Sequence, residues 1–148
     1  MITIKVNGSR LNQLQARLGN MRPIMAGISN MMLEVVERNF STQSNPETGL
    51  QWIPLTAHTM QKRAKQGYWP GKILQVSGSL ASSISPNYGN DYAIISTNKI
   101  YAAIHHFGGN TGRGHAANIP ARPYLALSKQ DERDINDTVS DYLAQGLT

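Results

Sequence analysis

The chain has 148 residues, 40% hydrophobic and 16% charged, a size and balance that suit one folded domain with a modest core. Fourteen Lys and Arg against nine Asp and Glu leave a formal charge of +5, and the absence of cysteine excludes disulfides, thiol nucleophiles and cysteine-based zinc sites. No window approaches the run of about 18 apolar residues that a membrane span needs, and the opening Met-Ile-Thr-Ile-Lys-Val lacks the layout of a secretion signal, so folding in the cytoplasm is expected.

In chain order, Ile2, Ile4 and Val6 alternate with polar residues and predict a short strand, turned by Asn7-Gly8. Leu11, Leu14 and Leu18 recur at helical spacing after Ser9 and stop at Gly19-Asn20. Ile24, Ile28, Met31, Met32, Val35, Val36 and Phe40 form a continuous stripe that predicts the longest helix, residues 22–42, with Pro23 in its first turn. Because the methionines fall on that stripe, they are read as core rather than as an adaptable binding face.

Residues 41–49 are a polar loop, and Thr56 caps a second helix with a Leu55/Met60 staple, a basic face of Lys62, Arg63 and Lys65, and a stop at Gly67. Ile73-Leu74-Gln75-Val76 reads as strand, and Ser77-Gly78-Ser79 starts a helical turn containing Leu80. Residues 91–97 form the clearest strand of the second half, paired as a hairpin with 84–87. Ile100, Ile104 and Phe107 return to helical spacing, ended by Gly108-Gly109. Residues 108–118 hold four glycines and almost no apolar side chain to offset the entropy of ordering, so a mobile arm is expected over 108–119. Ser128 and Asp131 have capping-box spacing, and Ile135, Val139, Tyr142 and Leu143 line one face of a terminal helix.

Charge is unevenly spread. From Lys129 onward, two cations face Asp131, Glu132, Asp134, Asp137 and Asp141, a net of −3, while the rest of the chain carries +8. A basic body with an acidic tail suits nucleic acid, or identical subunits docking basic face to acidic helix.

An enzyme finds little material here. His105, His106 and His115 lack a nearby carboxylate to complete a metal site, and adjacent histidines on a helix project in different directions. The loop from Gly108 to Gly114 has no Gly-Lys-Ser/Thr and no helix start to make a phosphate cradle. The carboxylates of the last helix read as its solvated face, and no nucleophile adjoins a base. No catalytic, cofactor-binding or metal residue is therefore assigned. The alternative class is a nucleic-acid-binding module, with Lys62, Arg63 and Lys65 on phosphates and Tyr68 and Trp69 stacking on bases.

Several stretches in one order carry a resemblance: Gly49 to Leu55, Thr59 to Arg63, Ile73-Leu74 with Ser77-Gly78-Ser79-Leu80, Tyr101-Ala-Ala-Ile-His-His-Phe-Gly-Gly109, and Ile119-Pro-Ala-Arg-Pro-Tyr-Leu125. Together they resemble the virion morphogenesis or tail-completion family of Mu-like contractile-tailed phages, over roughly residues 10–146. Departures are Ser77 where the family has threonine and His106 where it has glutamine or glutamate. The resemblance implies a non-enzymatic structural subunit without cofactor, assembled in the host cytoplasm into the virion. It further implies a homo-oligomeric ring, six-fold by analogy, at the tail or head-tail junction, as a tail terminator or neck component. Its partners would be other neck, connector or tail proteins, with DNA passing through the lumen and neither membrane nor small-molecule substrate involved.

The expectation is thus a single α+β domain over 1–148: a small, mostly antiparallel sheet packed by the long helix and the C-terminal helix, with a mobile glycine-rich arm. Candidate interface residues are Tyr101, His106, Phe107, Gly108, Gly109, Arg113, Arg122, Pro123 and Tyr124 around the arm, and Lys62, Arg63 and Lys65 on the basic helix. Arg122, held extended before Pro123, either grips a carboxylate or packs the end of a strand. Trp52 and Tyr124 are read as core or arm-anchoring aromatics.

Overall fold

The apolar stripe of residues 24–40 becomes the longest helix of a computed structural model, which describes residues 8–145. This helix, α2, runs Arg22–Thr42 as its sequence predicts, with Pro23 in the first turn and Gln43 closing it in the left-handed conformation at φ 54°. Its buried face is Ile28, Ser29, Val35, Val36, Asn39 and Phe40. Before it, α1 (Gly8–Leu18) is amphipathic but leaves Leu11 and Leu18 exposed. The strand expected at Ile2, Ile4 and Val6 lies outside the described residues.

The helix α3 (Ala57–Lys65) starts where the Thr56 side chain accepts from the Thr59 amide, and the chain leaves it through Gly67 at φ +78°. A short α4 (Ser79–Ser82) leads into an antiparallel hairpin of β1 (Ser85–Tyr88) and β2 (Ala93–Ser96), with Ser85 opposite Ser96 and Tyr88 opposite Ala93. Then α5 (Ala102–Phe107) is followed by β3 (Gly109–Thr111), a 3-10 turn, β4 (Ala117–Ile119) and the terminal helix α6 (Lys129–Ala144).

The fold is α+β, as expected, with three local corrections. First, residues 73–76 form no strand. The backbone groups that a sheet would use are taken by side chains instead: Arg63 donates to the carbonyls of Lys72 and Ile73 at 3.1 and 2.7 Å, and the Ile73 amide donates to Gln43 at 2.7 Å. Second, the described residues form two separate two-stranded sheets rather than one. The first lies on α2, whereas α6 packs on α2 and α1. Third, the segment expected to be a mobile loop is a hairpin, with Gly109 opposite Ile119 and Thr111 opposite Ala117, closed by an Asn118-to-Asn110 side-chain bond of 3.0 Å. The ladder supplies order that a count of apolar side chains does not register.

The core gathers Val36, Phe40, Trp52, Leu80, Ile84, Ala102 and Tyr124. Phe40 stands edge-on to Trp52, with centroids 6.2 Å apart, and is tilted against Tyr124 at 5.0 Å.

Asp131 fixes α6 to this core. It completes a capping box with Ser128, and its Oδ2 accepts from Arg38 of α2 at 2.7 Å. Burial raises its pKa, but the hydrogen bonds from Arg38 and Ser128 outweigh that and hold the carboxyl below its ordinary value. A depressed folded-state pKa contributes stability above the unfolded value, lost as pH falls through the folded one. Asp131→Ala should therefore cost about 2 kcal/mol, the cap plus a pair weakened by the half-exposed Arg38. It should also flatten the loss of stability below about pH 4 in urea titrations.

Candidate functional site

Residues 122–126 run extended between the second hairpin and α6 without belonging to either sheet, so their backbone groups must be satisfied by other means. Three distant elements do so. The Asn39 amide donates to the carbonyls of Tyr124 and Ala126 at 2.9 and 3.0 Å, and the Trp52 indole donates to the Pro123 carbonyl at 3.1 Å. His106 Nδ1 accepts from the amides of Tyr124 and Leu125, both at 3.3 Å. The Arg122 amide donates to the His105 carbonyl at 3.0 Å. Tyr124 has no exposure, and its hydroxyl donates to the Ala102 carbonyl at 2.8 Å, with burial pushing its pKa up to about 12.

Arg122 resolves its two readings in favour of packing. Its Nε and Nη2 donate to the Ile53 carbonyl at 3.0 and 2.8 Å, and Nη2 reaches Pro54 at 3.3 Å, with no carboxylate involved. Buried desolvation and the nearby Arg63 both lower its pKa. A planar fork on two carbonyls staples the 52–54 segment to the 122–126 segment.

On this base stands an exposed apolar face. Ile100 is 99% exposed and Phe107 76%, two large apolar side chains left bare on a small domain. Between them, Ile95, Thr97, Lys99, Ala103, His106 and Leu125 help to line a groove of 440 Å³. Gly108 sets the direction in which the hairpin leaves this face. At φ +73°, a Cβ there would lie 2.6 Å from the Ala121 nitrogen and 2.9 Å from the Ile119 carbonyl oxygen, so only glycine fits. Gly109 follows at φ +145°, and Arg113 lies exposed at the hairpin tip.

The candidate residues therefore fall into three groups. His106, Gly108, Arg122, Pro123 and Tyr124 belong to the scaffold, Tyr101, Phe107, Gly109 and Arg113 to the face and hairpin, and Lys62, Arg63 and Lys65 to α3. The basic helix does not act as one cluster, because Arg63 turns inward to backbone carbonyls while Lys62 and Lys65 stay exposed. Sequence reasoning missed Asn39 and Ile100. Asn39 was legible, since it sits on the buried stripe beside Val35, Val36 and Phe40. Among the described residues, no group of three His, Asp or Glu is placed to hold a metal ion.

Residues 5–144 match the model of the phage virion morphogenesis family. The G protein of Escherichia phage Mu, named for capsid assembly, is 38% identical over 127 residues, covering 85% of this chain and 81% of that one. The Mu-like prophage FluMu G protein 2 of Haemophilus influenzae is 37% identical over 147 residues and 96% of each chain, and FluMu G protein 1 is 29% identical over 97% of this chain and 96% of that one. No solved structure matches.

Two measurements check the scaffold. Tyr124→Phe strands the buried Ala102 carbonyl and should cost about 1–3 kcal/mol in urea unfolding. Burial lowers the pKa values of His105 and His106, with Arg122 and Arg63 adding to the effect at His105 and Glu47 opposing it at His106. As pH falls below the ordinary value of 6.5, the unfolded chain takes up these protons first, so stabilisation present above 6.5 is progressively lost. His106→Gln, which keeps an acceptor but does not titrate, should make that decline shallower.

Proposed function

This chain belongs to the phage virion morphogenesis family, and from that premise we propose that it is a non-catalytic subunit forming a homo-oligomeric ring at the head-tail junction, completing the tail and joining it to the head. Its setting is the assembling virion in the host cytoplasm, and its partners are copies of itself and the neck, connector or tail proteins that flank the ring. The observation that carries this reading is the exposed apolar pair Ile100 and Phe107 beside one groove, held on a scaffold whose polar groups are spent on internal bonds. Such a surface offers area for association rather than a reacting group. The phage Mu relative is named for capsid assembly, the stretches 101–109 and 119–125 resemble tail-completion proteins, and a junction subunit accommodates both.

The hairpin gives a direct test. Gly109 and Ile119 are paired across its base, so removing residues 110–118 joins positions that are already adjacent. The deleted protein should keep its thermal transition, because the removed side chains are almost all exposed. In infected cells it should leave filled heads and unjoined tails, counted by electron microscopy. Normal virions from the deletion would exclude the hairpin from assembly, and a missing transition would show that it serves the fold.

A further inference from the structure

Opposite charges lie unused on two helices of the same chain. On α3, Lys62 and Lys65 are exposed and make no side-chain bond, and on α6 neither do the exposed Asp137 and Asp141. The ion pairs among the described residues are Arg38–Asp131 and Lys129–Glu132, so no α3 cation meets an α6 anion within the chain. The spacings agree: three residues of helix separate the lysines by about 4.5 Å along the axis, and four separate the aspartates by about 6 Å. Each pair occupies neighbouring positions on one helix surface.

Arg63, between the lysines in sequence, turns to a cavity of 130 Å³ that it lines with Ser77, Ser79, Tyr101 and His105 among others, with no carboxylate in the wall and neither lysine part of it. Two guanidinium groups act on His105, and its Nδ1 is buried without a hydrogen-bond partner. Arg63 spends Nη1 and Nη2 hydrogens on the Lys72 and Ile73 carbonyls but makes no bond through Nε. Arg63 Nε and His105 Nδ1 thus lack partners among the described residues. The remaining walls are apolar, from Ile73, Leu74, Val76 and Leu80, which suits one carboxylate-bearing side chain better than the continuous basic track that a nucleic-acid backbone follows.

We propose that the exposed Lys62–Lys65 face of α3 is the socket for the Asp137 and Asp141 face of α6 from a second copy of this chain. This rests on the self-assembling ring proposed above and specifies its contact. Each chain carries both halves on different helices, so the interface is heterologous and propagates head to tail, as a ring requires. The charges set partner and register, while the exposed apolar face near Tyr101 supplies area.

The test uses charge exchange in a phage lacking this gene, complemented from plasmids. Lys62→Glu with Lys65→Glu, and separately Asp137→Lys with Asp141→Lys, should each lower the yield of infectious particles by about 100-fold. Co-expressing the two reversed proteins restores both polarities of contact and should bring the yield back to within about tenfold of wild type. Thermal unfolding of each purified variant is measured first, and Lys62→Gln with Lys65→Gln replaces a reversed variant that fails to fold, with a smaller loss expected. Full complementation by either reversal alone overturns the socket. Failure of folded reversed proteins to rescue one another also overturns it, and if the α3 variant has then lost binding to random DNA in a gel shift, the basic face serves nucleic acid instead. The broader reading fails separately, if the phage lacking the gene makes normal virions with no complementation at all.

Discussion

Asn39 donates both of its amide hydrogens to carbonyls of a segment about 85 residues further along the chain, and the rest of the structure depends on that bond pair. An extended segment outside any sheet is costly to bury unless its polar groups find partners. Here the partners come from α2, the segment at Trp52, and α5, so residues 122–126 act as the axis on which otherwise weakly connected pieces are assembled. The two hairpins are small and the helices short. Their mutual placement comes from this axis rather than from an extended sheet.

The two kinds of basic residue divide the work. Arg63 and Arg122 turn inward and satisfy backbone carbonyls of segments 72–73 and 53–54. A guanidinium can do this because its forked donors match paired acceptors and its delocalised charge is comparatively weakly hydrated. Lys62 and Lys65, with compact hydrated charges, remain at the surface. The net positive charge read from the sequence therefore overstates the basic surface of the α3 region, and the remaining exposed lysines are better suited to choosing a partner than to gripping a polyanion.

Much of the architecture was legible because local signals agreed with one another. The stripe from Ile24 to Phe40, the Thr56 cap and the Ser128/Asp131 capping box each mark an element by period and terminus together. Strand signals were less secure. Ile73 to Val76 has the right composition, but Arg63 and Gln43 claim its backbone, and nothing in a local window reveals a side chain from elsewhere. The glycine-rich hairpin was hidden for the opposite reason, since its order comes from backbone pairing. At the candidate site, Tyr124 and Trp52 were legible as anchors, whereas the carbonyl partners of Arg122 were not. A buried arginine suggests a carboxylate until the fold shows two backbone oxygens converging on it.

The long sequence separations within the clamp also bear on the order of events during synthesis. Trp52 waits for Pro123, and the Ile53 carbonyl waits for Arg122. A growing chain emerges from its N-terminal end, so α2 and the Trp52 segment are made long before their partners. The core can close only after residue 126 has left the ribosome, so the exposed face of α5 reaches its final arrangement only in chains that are nearly whole. A ribosome that stalls early would release a fragment that cannot close this core.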